Sequence, residues 1–533
     1  MVGMSDELTE LPEGWQWKNL GEVFEIFVGA TPSRKIPEYW DGSIPWVSSG
    51  EVAFCEIYET RETITELGLK NTSTELHPPG TVLLGMIGEG KTRGQAAILK
   101  IYATHNQNSA AIRVSEIGLP PEYVYYFLKL EYERTRQIGS GNNQQALNKS
   151  RVQLMSFPVP PLNEQKRIVA NIEELNDRTQ RAKEALDSIP QLCDRFRQSV
   201  LAAAFRGDLT ADWRDQNPDV EPASVLLERI RRDRRCRWEE LEVAKMQSKG
   251  KVVEECKWKE KYQEPDPLSN FDLPELPNGW VWTKWEQVGF CQNGRAFPSK
   301  EYQTNGVKLL RPGNLHVSGE IEWNDSNTRY LSEDWAEQYP DYLISTNELV
   351  INLTAQSLAD EFLGRICLTG EDERCLLNQR IARLVPIIIS PRFLFWLFKS
   401  KLFRSYVDDL NTGSLIQHIF TPQINKFHFP LPPLKEQQMI VNLIETQINS
   451  IENIGLKAGQ MQNAFPHLNQ SILAKAFRGE LVPQEPDDEP ASVLLERIRA
   501  KRDKLNNSKP KSDRTSKRKR KTVEGQGVIP GLE

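Results

Sequence analysis

The sequence predicts an α+β fold in which two mixed α/β regions are separated by a pair of long antiparallel coiled-coil helices. Three observations support this prediction: an internal repeat, short apolar runs of strand length in the first part of each copy, and apolar residues at heptad spacing in the second part. Because the chain contains the same unit twice, the fold is expected to have an internal pseudo-twofold symmetry.

The composition excludes several classes of protein. The 533 residues are 39% hydrophobic, which is too much for a wholly disordered chain, and no apolar run approaches the ~18 residues of a membrane span. The first residues are polar and acidic, and the 7 cysteines form no CxxC pair, so a cytoplasmic location is expected. The net charge of −6 does not exclude nucleic-acid binding, because phosphate binding requires only a local positive face.

The internal repeat consists of paired blocks that occur in the same order in both copies. The pairs are LPEGWQW (11–17) and LPNGWVW (276–282), FPVPPLNEQ (157–165) and FPLPPLKEQ (429–437), SVLAAAFRGDL (199–209) and SILAKAFRGEL (471–481), and two identical copies of EPASVLLERIR (221–231 and 489–499). Between the first and second blocks of each copy, in the part called the head, similarity is scattered. The near-identical tails are therefore expected to do the same job twice, and the heads two different jobs of one kind.

The repeat and the local composition divide the chain into seven predicted segments. They are head 1 (1–162), a first long helix (163–207), a short helix with a linker (208–270), head 2 (271–434), a second long helix (435–479), a short helix (480–507) and a disordered basic tail (508–533). The Pro-rich motif at the end of each head favours extended chain, so each head is expected to end there.

Each long helix is predicted from a heptad seam, which would bury one helix against the other. The helix-pairing residues are Ile168, Ile172, Leu175, Leu186, Ile189 and Phe196 in the first copy, and Ile440, Ile444, Ile451, Ile454, Phe465 and Leu468 in the second. The alternative is that each seam packs against its own head. Pro190 and Pro466 predict a kink or break in each helix, and Gly207 and Gly479 are placed to cap the C-terminal ends.

One segment of head 1 matches a sequence motif that is found in enzymes. Gly85–Thr92 fits the phosphate-binding pattern GxxxxGK[ST] and by itself would suggest a self-contained ATPase, while Glu89 and Lys91 could belong to a nuclease site. A phosphate-binding loop must lead into a helix, whereas Ala96–Ile101 is typical of a strand. The preferred interpretation is a Gly-rich hairpin. The histidines show no metal-ligand spacing, so neither a catalytic nor a metal-binding residue is predicted.

The order of the blocks resembles that of the specificity (S) subunits of type I restriction-modification systems, over nearly the whole chain from residue 11 to about 504. The resemblance implies that each head is a target recognition domain that reads one half of a bipartite, asymmetric site in double-stranded DNA. It implies that the helices set the unread spacing and bind two methyltransferase subunits. The full complex would add motor/nuclease (restriction) subunits, with S-adenosylmethionine, ATP and Mg²⁺ used by other subunits and none bound by this chain.

Candidate DNA contacts follow from the chemistry of base reading. Asn, Gln and Arg side chains recognise base edges, while Lys and Arg on phosphates set the register. The loops richest in these types supply Arg34, Lys35, Lys91, Arg93, Gln95, Asn142, Asn143, Gln144 and Gln145 in head 1, and Arg295, Lys300, Gln356, Ser357, Gln417 and His418 in head 2. Each of these loops could instead be simply solvated.

Overall fold

The computed structural model describes residues 10–88, 90–114, 118–137, 147–248, 256–266, 268, 273–356, 361–410 and 417–508. The chain divides into two compact units. Unit 1 combines residues 1–185 with residues 461–533, and unit 2 consists of residues 186–460. Each unit therefore contains one head and portions of both tails. Nearly all of the predicted basic tail lies outside the described residues.

Head 1 is built from short strands and helices. Its strands are β1 (Gln16–Asn19), β2 (Glu25–Val28), β3 (Trp40–Val47), β4 (Cys55–Ile57), β5 (Glu62–Ile64), β6 (Thr81–Gly85), β7 (Ala96–Leu99), β8 (Thr104–His105), β9 (Ser109–Arg113) and β10 (Ser156–Val159). Its helices are α1 (Leu20–Val23), α2 (Glu66–Lys70), α3 (Pro121–Leu130), α4 (Tyr132–Gln137) and α5 (Lys149–Gln153). The long helix α6 (Leu162–Asp187) follows directly.

The strands of head 1 form a five-stranded sheet in the order β2-β9-β6-β7-β4, a three-stranded sheet in the order β5-β3-β8, and the pair β1-β10. Strand β6 lies at the centre of the larger sheet, and all its residues are buried. It pairs antiparallel with β7. The predicted hairpin at Gly85–Thr92 is thus confirmed, because a strand rather than a helix follows Thr92.

Unit 2 begins with helices α7 (Ile189–Arg206), α8 (Ala211–Gln216) and α9 (Ala223–Ser248). The strands of head 2 are β11 (Val281–Lys284), β12 (Gly289–Asn293), β13 (Val307–Leu310), β14 (Tyr330–Leu331), β15 (Leu343–Ile344), β16 (Leu349–Asn352), β17 (Thr354–Ala355), β18 (Ile366–Leu368), β19 (Cys375–Leu377), β20 (Ile381–Pro386), β21 (Gln417–His418) and β22 (His428–Leu431). Its helices are α10 (Trp285–Val288), α11 (Glu333–Gln338), α12 (Pro391–Lys399), α13 (Lys401–Leu410) and α14 (Thr421–Asn425). Helix α15 (Leu434–Phe477) begins in unit 2 and ends in unit 1, where α16 (Ala491–Ser508) follows.

The strands of head 2 form two four-stranded sheets, β12-β20-β16-β18 and β14-β13-β19-β15, and the pairs β11-β22 and β17-β21. In both heads the strand from the first block pairs with the strand from the Pro-rich block. The predicted α+β class is confirmed. Among the described residues, none of the helices is sufficiently long and apolar to cross a membrane.

Each head packs against the end of the other copy's tail. In unit 1, Phe477 of α15 is in the core cluster of head 1, and the backbone N–H of Ala491 donates to the carbonyl of Gly14 at 2.9 Å. In unit 2, the corresponding bond joins Ala223 to the carbonyl of Gly279 at 2.8 Å. The sequence prediction did not anticipate this exchange of tails.

A buried carboxylate joins the repeated blocks in unit 1. Glu164, from the Pro-rich block, is 1% exposed and accepts hydrogen bonds from the indole of Trp15 at 2.9 Å and the amide of Gln484 at 2.6 Å. Burial raises the pKa of Glu164, and the bonds from Trp15 and Gln484 act in the opposite direction. Arg167, one helical turn further on, pairs with Asp488 at 2.6 Å. These bonds tie the first block, α6 and the segment after α15 together.

Unit 2 has the equivalent arrangement around Glu436, which is fully buried. The indole of Trp280 donates to its Oε2 at 2.8 Å, while Thr210 and Arg214 donate to its Oε1 at 2.7 and 2.9 Å. Burying a carboxylate costs free energy unless the group is paired with a cation and hydrogen-bonded, and the guanidinium of Arg214 supplies that cation here.

The long helices share a core cluster within each unit. In unit 2, Leu201 of α7 shares a core cluster with Ile440 and Ile444 of α15, and the thiol of Cys193 lies 3.9 Å from the carbonyl oxygen of Ile451. The sequence numbers run in opposite directions along the two helices, so α7 and this part of α15 are antiparallel. Residues of the heads belong to the same clusters, so each helix packs against a head as well.

The predicted pairing residues differ in burial. Ile168, Ile172, Ile440, Ile444 and Ile451 are buried, Leu175, Leu186, Ile189 and Phe465 are half-buried, and Phe196, Ile454 and Leu468 are exposed by 49, 53 and 47%. The prediction of burial is wrong for the last three. An α-helix repeats every 3.6 residues and drifts from a strict heptad. In α15, Ile448 is buried in addition to the predicted Ile444 and Ile451.

The prolines have different effects in the two copies. Helix α6 ends at Asp187 and α7 begins at Ile189, so Pro190 lies in a first turn, where its missing N–H costs nothing. Pro466 lies inside the continuous helix α15, so of the predicted kink or break the structure excludes the break. Gly207 and Gly479 adopt left-handed conformations at φ 83° and 77°, as expected of C-terminal caps.

Two helices are longer than predicted. The segment 208–270 was expected to hold a short helix, but α9 has 26 residues. The helix predicted within 480–507 has 18 residues. The EPASVLLERIR block supplies the buried first part of α9, including Leu226 and Ile230, while the later part is charged.

The buried carboxylates lead to a prediction about stability. Trp280→Phe removes the donor to Oε2 of Glu436 but keeps an aromatic ring, so the free energy of unfolding should fall by about 1–3 kcal/mol. The matched control is Trp282→Phe, because the indole of Trp282 donates to the carbonyl of Pro274 on the exposed surface. Urea denaturation followed by circular dichroism measures both changes. Equal losses in the two variants would contradict the assigned role of Glu436.

Candidate nucleic-acid interface

The candidate interface in head 2 lies at the edge of a sheet where two parallel strands end side by side. Strand β13 pairs with β19, with Leu310 opposite Leu377. Arg311 and Asn378 therefore leave the sheet at the same edge, and the backbone N–H of Asn378 donates to the carbonyl of Leu310 at 3.2 Å. Gly294 packs against this edge. A Cβ at this position would lie 2.0 Å from the carbonyl oxygen of Asn378, so only glycine fits there.

A polar cleft of about 490 Å³ opens at this edge. Its lining includes Arg311, Arg329 and Arg380, together with Tyr302, Asn327, Asn378 and Gln379. Among the described residues, none of the three arginines has a carboxylate within ion-pair distance. The cleft therefore carries uncompensated positive charge. We call it the arginine cleft.

The predicted contact Arg295 lies beside this cleft but its side chain is engaged. The backbone of Arg295 donates to the carbonyl of Leu377 at 3.0 Å. Its guanidinium stacks 3.9 Å above the ring of Tyr339 and donates to the Tyr339 hydroxyl at 3.0 Å. Lys300 lies in the short turn before Tyr302, and its side chain is 82% exposed.

A two-stranded ribbon continues the same edge. The backbone N–H of Leu353 donates to the carbonyl of Arg380 at 2.8 Å, and that of Ile419 donates to the carbonyl of Leu353 at 3.0 Å. These bonds place the pair β17-β21 next to the arginine cleft. We call this pair, with the flanking residues Gln356 and Phe420, the ribbon.

The ribbon brings three predicted residues together. Gln417 pairs with Ala355 and His418 with Thr354, and the Nδ1 of His418 lies 3.1 Å from the Thr354 hydroxyl. Gln356 and His418 are exposed. Phe420 is 63% exposed and lies over the ring of His418, with 6.2 Å between their centroids. The sequence prediction missed Phe420, and Ser357 lies outside the described residues.

Head 1 builds the same edge with different side chains. Strands β3 and β8 are parallel, with Val47 opposite His105, and the N–H of Asn106 donates to the carbonyl of Val47 at 3.0 Å. Gly29 approaches His105 as closely as Gly294 approaches Asn378. Ser48 occupies the position of Arg311, since each precedes a short 3-10 turn at the end of its strand.

The predicted contacts Arg34 and Lys35 lie in the loop after β2. The guanidinium of Arg34 forms an ion pair with Glu62, with 2.9 Å between Nη2 and Oε2, and stacks 4.1 Å above Trp40. This bond lowers the pKa of Glu62. Lys35 is exposed. Both side chains are exposed, but the guanidinium of Arg34 is already engaged by Glu62 and Trp40.

Three further contacts predicted in head 1, Lys91, Arg93 and Gln95, lie on the β6-β7 hairpin. Lys91 is exposed, and its carbonyl accepts from the hydroxyl of Tyr132 at 2.8 Å. Arg93 donates to the carbonyl of Arg136 at 2.8 Å, and Gln95 is half-buried. The predicted residues Asn142, Asn143, Gln144 and Gln145 lie outside the described residues.

Two histidines lie buried behind the edge of head 1. His77 and His105 are fully buried, with 5.0 Å between ring centroids, and Arg113 donates to Nδ1 of His77 at 3.2 Å. Burial, helped by the nearby charges of His105 and Arg113, lowers the pKa of His77 to about 2. Burial lowers the pKa of His105 to about 4. Both rings are therefore neutral in the folded head at neutral pH.

The comparisons with known proteins agree on one family. The family model described as Type I restriction modification DNA specificity domain matches residues 12–191 and 277–459. Among curated proteins, the type I restriction enzyme EcoDI specificity subunit of Escherichia coli is 24% identical over 92% of this chain and 96% of its own length. The MjaVIII specificity subunit of Methanocaldococcus jannaschii is 22% identical over 88% of this chain and 94% of its own length.

Solved structures show the same fold. The HsdS subunit from Thermoanaerobacter tengcongensis superposes with a TM-score of 0.59 at 18% identity, covering 90% of this chain and 100% of that subunit. A chain from a structural study of assembly and conformational transition in the type I R-M system gives a TM-score of 0.53, also at 18% identity, covering 89% and 100%.

The buried histidines lead to a prediction about pH. Both bind protons below about pH 6.5 when unfolded but stay neutral when folded, so head 1 loses stability as the pH falls below that value. His77→Gln keeps an acceptor for Arg113 and removes one of these groups. Between pH 6.5 and 5 its loss of unfolding free energy should be about 2 kcal/mol smaller than in the wild type. The control is His418→Gln, an exposed histidine. Parallel pH profiles for wild type and His77→Gln would contradict the prediction.

Proposed function

Because the chain belongs to the family of type I restriction modification DNA specificity domains, we propose that it reads a bipartite, asymmetric site in double-stranded DNA, one half with each head. The observation that carries this proposal is a shared scaffold with different side chains. Both heads end a parallel strand pair at the same edge, but Arg311 of head 2 replaces Ser48 of head 1. Two readers of one architecture and different chemistry are suited to an asymmetric site.

Family membership confirms the expectation of a specificity subunit and gives no support to a self-contained nuclease or ATPase. The Gly85–Thr92 segment, on which that alternative depended, is a hairpin between β6 and β7. The chain is a DNA-recognition component of a type I restriction-modification complex rather than its catalyst.

The long helices are the proposed docking elements for methyltransferase subunits. Exposed apolar side chains lie along them, including Leu192 and Phe196 on α7 and Ile454 and Leu456 on α15. Phe196 and Leu468, which occupy the same position in the two copies of the repeat, are both exposed, and a position repeated in this way suits two equivalent partner subunits. Restriction subunits would complete the complex in the cytoplasm, and S-adenosylmethionine, ATP and Mg²⁺ would be used by these other subunits.

The modular reading predicts the result of a head exchange. Residues 20–155 are replaced by the corresponding head of another specificity subunit, which leaves both β1 and β10 in place to close the base of the head. Methylated sites in cells that carry the complete system are then mapped by long-read sequencing. One half-site should change while the other half and the gap stay the same.

The reciprocal exchange in head 2, between β11 and β22, is the matched control and should change the other half-site. A single exchange that changes both halves, or neither, would contradict independent reading by the heads.

The spacing role of the helices predicts a second result. Four residues, about one helical turn, are inserted after Leu175 in α6 and after Gln447 in α15. The added turn should lengthen the unread gap without changing either half-site. A substitution of four residues at the same positions, without insertion, controls for local damage. An unchanged gap in the insertion variant would rule out the helices as the spacer.

A further inference from the structure

We propose that the arginine cleft of head 2 seats one backbone phosphate of the target DNA, while the ribbon beside it contacts the bases. This inference rests on the proposed function and adds a division of labour within one head. Phosphate contacts fix the position of a protein on the duplex, and base contacts carry sequence information.

The cleft is built for an anion. Arg311, Arg329 and Arg380 line it without ion pairs among the described residues. Asn378 also lines it and is 7% exposed, yet its buried Oδ1 has no hydrogen-bond partner in the described part of the chain. The matching Asn106 of head 1 is satisfied, since its Oδ1 accepts from the backbone of Asn108 at 3.1 Å. A side-chain amide can turn over to present its NH₂ group, so Asn378 is available to a ligand that enters the cleft.

The shape of the site favours a phosphate over a base edge inside the cleft. Base edges lie at the floor of a groove and are reached by side chains that project from the protein. The three arginines instead line a concave space, into which a projecting phosphate group fits. The ribbon has the opposite character, because Gln356, His418 and Phe420 are exposed at its surface.

Head 1 differs from head 2 at the positions of Arg311, Asn314 and Gln379. Ser48, at the position of Arg311, donates its hydroxyl to Glu51 at 2.8 Å, so a carboxylate lies where head 2 has Asn314. The hydroxyl of Thr31 donates to Gln107 at 2.5 Å, which engages the residue matching Gln379. Head 2 is therefore the head that holds its half-site through this phosphate contact.

The test is the salt dependence of DNA binding. The full chain is assembled with its methyltransferase partner, and the DNA is a duplex that contains the sequence methylated by this complex in cells. In the combined variant Arg311→Gln, Arg329→Gln and Arg380→Gln, the slope of log K against log salt should become shallower by about 0.9, the value for one phosphate contact on B-DNA. The methylated sequence in cells should stay the same. Arg380→Gln alone, a change at an exposed residue, should weaken binding at low salt several-fold.

The charge-matched control is Arg392→Gln, because Arg392 is exposed in head 2 and already paired with Glu445 at 2.7 Å. Its slope should equal that of the wild type, and equal thermal unfolding midpoints establish that the variants are folded. An unchanged slope in the combined variant would overturn the phosphate assignment. Relaxed preference at one base of the half-site would overturn it too and assign base reading to the cleft. A wild-type complex that does not bind DNA would overturn the proposed function itself.

Discussion

A buried carboxylate in each unit is the interaction on which the fold depends. Glu164 and Glu436 lie in the repeated Pro-Pro-Leu-x-Glu-Gln motif and each accepts the indole N–H of a repeated tryptophan, Trp15 or Trp280. The next residue, Gln165 or Gln437, donates to a proline carbonyl of the same motif. A carboxylate can be buried only where donors satisfy it, so these residues cannot change one at a time without a large loss of stability.

The buried carboxylates Glu164 and Glu436 explain why the repeated blocks are similar in the two copies while the sequences of the heads differ. The donors to Glu436 come from the first block of one copy and from the segment after α7 of the other. Within each unit the same core therefore requires residues from both copies. The loops of the heads lie outside this core and are free to vary, so two base-reading surfaces can be carried by one framework.

The sequence predicted the features that local chemistry determines. A glycine in left-handed conformation ends a helix whatever lies around it, so Gly207 and Gly479 were identified correctly. The strand pattern after Thr92 distinguished a hairpin from a nucleotide site for the same reason. The sequence prediction missed that each head packs against the tail of the other copy. Both tails have almost the same pattern of apolar residues, so the repeat alone does not determine which head each tail contacts.

The candidate interface was predicted only in part, because its residues converge from separate loops. Gln356, Gln417 and His418 were predicted as DNA contacts from residue type alone, and the ribbon brings them together. Arg329 lies in none of the loops that were singled out, and it reaches the arginine cleft only through the pairing of β13 with β14. Arg380 could have been found, since it follows the Asn-Gln pair shared by both heads.

We propose that two independent heads on this chain select the DNA sites of the complex. The decisive measurement is a map of adenine methylation across the genome of a host that carries the complete system, with and without this chain. The account predicts a motif of two specific parts separated by an unread gap of fixed length, which disappears when the chain is deleted. A continuous motif, or one that survives the deletion, would contradict it.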